Sequence, residues 1–126
     1  RENVTFWAQA AGLDKTTAFE RAENAIERMG VEKRLLGLPV SRLSAGQKRR
    51  TSLASLIVRR PQLWLLDEPH SGLDQDGREV VDSFIKEVVN AGATVVVASH
   101  ELDRISALSP RIMTVVGGVA LENEDQ

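Results

Sequence analysis

Leu63-Trp64-Leu65-Leu66-Asp67-Glu68-Pro69 is a run of four apolar residues closed by two carboxylates and a proline. A strand covered on one face alternates apolar with polar residues, so this unbroken run reads as a strand buried on both faces. Thr94-Val95-Val96-Val97-Ala98 has the same texture, and between the two Val80, Phe84 and Val88 recur at helical spacing. The pattern predicts a β-α-β unit, two parallel strands joined by a crossover helix. In an open α/β sheet ligands gather beyond the carboxyl ends of the strands, which is where Asp67 and Glu68 fall.

Toward the C-terminus, a short helical segment is predicted near Leu102 to Leu108 and a third strand of the same sheet over Arg111 to Val116. Gly117-Gly118 turns that strand into a brief fourth at Val119 to Leu121, and Glu122 to Gln126 read as a frayed polar end. Toward the N-terminus, Ser44-Ala45-Gly46-Gln47 opens a helix with apolar Leu53, Ala54, Ile57 and Val58, which Pro61 stops near Arg59. Gly37 and Pro39 break the periodicity of residues 31–42. From Thr17 to Met29, Phe19, Ala22, Ile26 and Met29 mark an amphipathic helix, with Thr17 and Glu20 as its capping box and Gly30 at its end. Val4, Trp7, Ala8 and Ala11 share one face of an earlier helix. The fold class is therefore α/β: a helical lobe over residues 1–60, then part of a mostly parallel sheet with flanking helices over 61–126.

Composition sets bounds on what such a chain does. With 126 residues it holds one modest core, and 42% hydrophobic with 27% charged residues excludes a disordered or fibrous class. Sixteen basic against eighteen acidic residues give a formal charge of −2, so there is no overall basic field for nucleic acid. The absence of cysteine excludes disulfides and thiolate metal sites and fits the cytoplasm. No apolar stretch is long enough to cross a bilayer, so a membrane role requires partner subunits. The chain begins at Arg1, already inside a helical pattern, which reads as a start in mid-protein.

Several motifs converge on the acidic strand end. Asp67, fixed by the strand, suits a hydrated magnesium ion, and Glu68 one residue on suits orienting or deprotonating a water that attacks a phosphate. Taken alone, the same string also describes a strand ending in a solvated acidic turn. Leu43-Ser44-Ala45-Gly46-Gln47 places a hydroxyl, an unhindered backbone and free helix N-terminal NH groups at one point, a phosphate-binding tip, although Ser44 with Gln47 also makes a plain capping box. Ser71-Gly72-Leu73-Asp74 follows as a turn, and His100 after the second strand is brought to the sheet edge that carries Glu68. His70 has no motif role and reads as a solvent-facing turn residue. Lys48-Arg49-Arg50 and Arg59-Arg60 read as solvated helix faces. Trp7 reads as core.

In this order and at these intervals the motifs resemble the ABC ATPase family over essentially the whole chain. Leu43 to Gln47 match its signature sequence, Leu63 to Glu68 its Walker B strand, Ser71 to Asp74 its D-loop and His100 its switch histidine. The resemblance implies a P-loop NTPase fold with ATP and Mg2+ as cofactors. It implies Glu68 as general base, Asp67 as organiser of magnesium through water and His100 as a contact to the γ-phosphate. Ser44, Ala45, Gly46, Gln47 and Asp74 would meet nucleotide held by a second ATPase subunit. The implied partners are that subunit, a homodimer, and membrane-spanning transporter subunits at the cytoplasmic face of the cell membrane, with no nucleic acid. Ala45 stands where glycine is commoner, a difference of one methyl group.

The phosphate loop G-x-x-x-x-G-K-[ST] occurs nowhere in the 126 residues. In the family that loop, the adenine-stacking aromatic and the magnesium-sensing glutamine precede the helical lobe, and Gln9 falls too late to replace that glutamine. The expectation is a chain that does not turn over ATP by itself, from a parent that does. The sequences Arg1 to Trp7, Leu43 to Arg50 and Leu63 to Pro69 further resemble the ATP-binding subunit of bacterial haem exporters of cytochrome c maturation. Two alternatives stay open: a non-hydrolysing truncated partner of a complete ATPase, and the C-terminal lobe of a DNA-repair or chromosome-maintenance ATPase. A short helical lobe without sustained heptads and the acidic balance weigh against the second.

Overall fold

The computed structural model describes residues 1–108 and 111–122. The expected polar end falls mostly on residues 123–126, outside the described residues. Helices α1 (Glu2–Ala10), α2 (Lys15–Arg28) and α3 (Ala45–Arg59) pack together before strand β1 (Leu63–Asp67), helix α4 (Gln75–Asn90), strand β2 (Thr94–Ala98), helix α5 (Leu102–Ser106) and strands β3 (Met113–Val116) and β4 (Val119–Glu122). Two single 3-10 turns, Lys33–Leu35 and Val40–Arg42, occupy the segment where the periodicity breaks.

Each helix starts and stops for a local reason. Asp14 caps α2 by accepting from the Thr17 N–H at 3.0 Å, which replaces the expected Thr17–Glu20 box: an aspartate lay in reach one turn earlier. Gly30 ends α2 at φ +72°, where Gly30 N donates to Glu27 O and Val31 N to Ile26 O, and Val31 is buried beyond it. Alanines 18, 22 and 25 with Ile26 form the buried stripe of α2. Phe19 stays exposed beneath the Arg1 guanidinium, 4.7 Å from its ring centroid. Trp7 is likewise not core, because Val4 and Ala8, four apart, take the buried positions of α1. Its ring faces a cleft edged by Asn3, Val40, Thr51 and Ser55, with the Arg59 guanidinium 4.9 Å away. Arg60 leaves α3 in the left-handed region (φ +47°), and Pro61 follows.

One apolar cluster runs from Val4 and Ile26 through Leu53 and Val58 to Trp64, Leu66, Val81, Phe84 and Ile85. β1 and β2 are parallel and in register from Leu63 opposite Thr94 to Asp67 opposite Ala98. Only one face of this pair is covered: Trp64 and Leu66 are buried, whereas Leu65 is 71% exposed, and Leu63 and Val96 are exposed with it. The two-sided burial expected from the apolar run is therefore not met among the described residues, since α3 and α4 sit on the Trp64 face and no described layer covers the other. The third strand also differs from expectation. Gly117 and Gly118, both at positive φ (+58° and +80°), fold β3 back onto β4 as an antiparallel hairpin separate from β1 and β2. A two-residue turn closes a local pairing at little entropic cost.

Candidate active site

β1 delivers Asp67 and Glu68 to the carboxyl edge of the parallel pair. Glu68 N donates to Ala98 O at 2.8 Å, extending the ladder one residue, but Glu68 itself turns to φ +45°. A non-glycine residue there carries strain that its surroundings must hold. The Glu68 carbonyl accepts from Ser71 N at 3.1 Å and from Arg49 Nη2 at 2.6 Å. With its backbone pinned from both sides, the carboxylate is aimed at the end of β2. There it accepts from the His100 N–H at 3.1 Å and pairs with His100 Nδ1. The imidazole is otherwise open to solvent, 98% exposed. Glu68 and His100, 32 residues apart, are thus brought together as expected.

Asp67 lies beside them, exposed. Among the described residues no three His, Cys, Asp or Glu side chains cluster around a metal position. The Asp67 carboxylate has the hard-oxygen chemistry that binds magnesium alongside waters and phosphate oxygens.

Ser44 caps α3: its hydroxyl accepts from Gln47 N at 3.2 Å and its own N–H donates to Gln47 Oε1 at 2.9 Å. The plain capping reading is therefore realised, and it leaves the first-turn NH groups of Ala45 and Gly46 without carbonyls within the helix to take them. A Cβ on Gly46 would stand 3.2 Å from the Gly72 carbonyl, so the 44–47 tip and the 71–74 turn meet through backbone. No hydrogen bond among the described residues joins Ser44 to Gln47 with Asp67, Glu68 or His100.

Asp74 caps α4, accepting from Gly77 N at 2.9 Å and from Arg50 Nη2 at 3.1 Å. The Gly77 N–H above all, then the Arg50 guanidinium, holds its carboxyl below the ordinary aspartate range. A folded-state value below the unfolded one contributes stability above the unfolded value, and that contribution is lost as pH falls through the folded value. Urea titrations of wild type and Asp74→Asn as a function of pH are expected to diverge above the carboxylate range and converge below it, because asparagine still caps but does not titrate.

Three residues escaped the sequence reading. Arg49 and Arg50, read as solvated, are tied inward: Arg49 to Glu68 O, and Arg50 to Asp74 and to the carbonyls of Met29 (3.3 Å) and Gly30 (3.2 Å). His70, read as a solvent-facing turn residue, is 1% exposed and bonded to Asp82. Each needed a tertiary partner to be seen, although the position of Arg49 and Arg50 in the first turns of the helix opened by Ser44 was a signal.

The family model described as ABC transporter matches residues 1–71, more than half of the sequence. The chain belongs to the ABC transporter family. Among curated relatives, this ABC transporter chain is 42% identical over 101 residues to the cytochrome c biogenesis ATP-binding export protein of Rhodospirillum rubrum, covering 80% of the chain and 41% of that protein. It is 35% identical over 111 residues to the cobalt import ATP-binding protein of Rhodobacter capsulatus, covering 88% and 39%. The dimeric structure of the ABC transporter cassette MJ0796 superposes with a TM-score of 0.72 at 25% identity, over 81% of this chain and 44% of that one. The chain spans about two fifths of the length of the curated relatives it matches. Their shared architecture supports the α/β fold class, part of a P-loop NTPase domain, read from the sequence.

Proposed function

We propose that the chain is part of the ATP-binding and ATP-hydrolysing subunit of an ABC transporter, with residues 1–60 as its helical lobe and 61–126 as the C-terminal half of its α/β core. The observation that carries the reading is the Glu68 carboxylate held between the end of β1 and His100 at the carboxyl edge of the parallel strands. Glu68 accepts the proton of the attacking water, and His100, on the same carboxylate, orients it and reaches the γ-phosphate. Asp67 would hold magnesium through water. The metal would supply charge neutralisation on the phosphates, and ATP the transferable phosphoryl group. Ser44, Ala45, Gly46 and Gln47 present a helix N-terminus to nucleotide on a second subunit, and Asp74 fixes the neighbouring turn. A homodimer follows, seated on membrane-spanning subunits, with the exposed Trp7 cleft as one docking point at the cytoplasmic face. No described helix is long and apolar enough to cross a membrane.

Haem export for cytochrome c maturation is the specific cargo we infer. Two relatives named cytochrome c biogenesis ATP-binding export protein are 40% and 42% identical to the chain, whereas the cobalt import relative stands at 35%. Deleting the gene tests it: holocytochromes c are expected to disappear while cobalt uptake continues. Normal c-type cytochromes in the deletion strain would remove the haem reading and leave the ATPase reading untouched.

A further inference from the structure

His70 sits in the turn between Glu68 and Asp74, enclosed by α4 and by the segment that follows His100. Its Nε2 is 2.6 Å from Asp82 Oδ1. An ionised carboxylate only accepts, so Nε2 carries the proton. The second oxygen of Asp82 pairs with Arg104, which also donates to Gln75 Oε1 at 3.2 Å. Nδ1 of His70 is buried without a hydrogen-bond partner, 4.0 Å from Glu101 Oε2. The other oxygen of Glu101 pairs with Arg78, and Arg78 Nε donates to the Leu73 carbonyl at 3.1 Å. Leu73 N donates to the His70 carbonyl at 3.2 Å. The imidazole is therefore bonded to the middle of α4 through Asp82 and lies against Glu101, the residue directly after His100.

We propose that His70 is a positioning residue for hydrolysis, which sets the register between Glu68 and His100. It does so by bonding the 68–73 turn to Asp82 and by filling the space under Glu101. Its two ends of influence lie on the two groups assigned to the chemistry: Glu68 two residues before it, His100 one residue before Glu101. The Nε2–Asp82 bond is the satisfied link of the imidazole, and losing it frees the turn after Glu68 from α4. The inference rests on the ATPase reading above.

The test uses the complete ATPase subunit with three variants. His70→Phe keeps the ring and loses the donor, His70→Gln keeps a donor at the Nε2 position, and His70→Asn keeps polarity but is too short to reach Asp82. His70→Phe and His70→Asn are expected to lower kcat by roughly ten- to hundredfold, the scale of a small misplacement of catalytic groups, with KM for ATP within about twofold. His70→Gln is expected to recover most of the loss. Without nucleotide, hydrogen exchange at the Ser71 and Leu73 amides is expected to speed up in the Phe and Asn variants and to return toward wild type in the Gln variant. If Phe does not fold, the Asn and Gln pair carries the comparison. Wild-type kcat in the Asn variant, a change in KM alone, or no rescue by Gln would each overturn the proposal while wild-type turnover keeps the ATPase reading. Absence of wild-type turnover in the complete subunit would overturn the ATPase reading, and unchanged amide exchange would then dispose of the positioning role of His70 as well.

Discussion

Glu68→Gln in the complete subunit is expected to leave ATP binding intact and to lower steady-state hydrolysis by about a hundredfold or more, the usual scale for losing a general base. Glutamine keeps the side-chain length and one carbonyl oxygen for the His100 N–H, so the 3.1 Å bond and the turn below it survive. What disappears is the capacity to take a proton. The backbone at φ +45° is held by Ala98, Ser71 and Arg49 through main-chain atoms, none of which the substitution touches. Phosphate release under single-turnover conditions, alongside nucleotide binding, separates the two effects. Turnover within a few-fold of wild type would take Glu68 out of the catalytic role.

The second large effect is on stability. Trp64→Ala is expected to destabilise the fold by about 3–5 kcal/mol, the range for truncating a large buried aromatic. Trp64 is 3% exposed, its ring meets Phe84 edge-on at 5.1 Å between centroids, and its Nε1–H donates to Pro61 O at 2.9 Å. Removing it opens a cavity between β1 and α4, and water or nothing must then satisfy that carbonyl. Domains of ordinary stability hold about 5–15 kcal/mol in total, so the loss is a large share. Leu65→Ala, one residue away on the uncovered face, is expected to change stability by less than about 0.5 kcal/mol in the chain described here. Urea midpoints of the two variants check the sidedness of β1 directly, and equal losses would contradict it.

The elements legible from sequence were those whose signals are local. β2 spans the predicted residues, α3 begins directly after its Ser44 cap and ends before Pro61, and the glycine pair at 117 and 118 makes its turn. The meeting of Glu68 with His100 was legible because topology alone puts the ends of parallel strands together. The partner of β3 was not, since an apolar run does not say which edge it pairs with. An unbroken run such as Leu63 to Leu66 specifies apolar surface on both faces without specifying a cover for each. His70, Arg49 and Arg50 were misread for one common reason. Base rates place a turn histidine or a helix-face arginine in solvent, and only the positions of Asp82, Asp74 and the Glu68 carbonyl reverse that.

The left-handed backbone at Glu68 bears on how such chains change over evolutionary time. Glycine at this position would relieve backbone energy of about 1 kcal/mol, and asparagine would relieve part of it. A lineage released from selection for hydrolysis would therefore drift toward glycine or asparagine there, gaining stability as it lost chemistry. The glutamate at position 68 thus stands at a backbone cost that a glycine there would not carry.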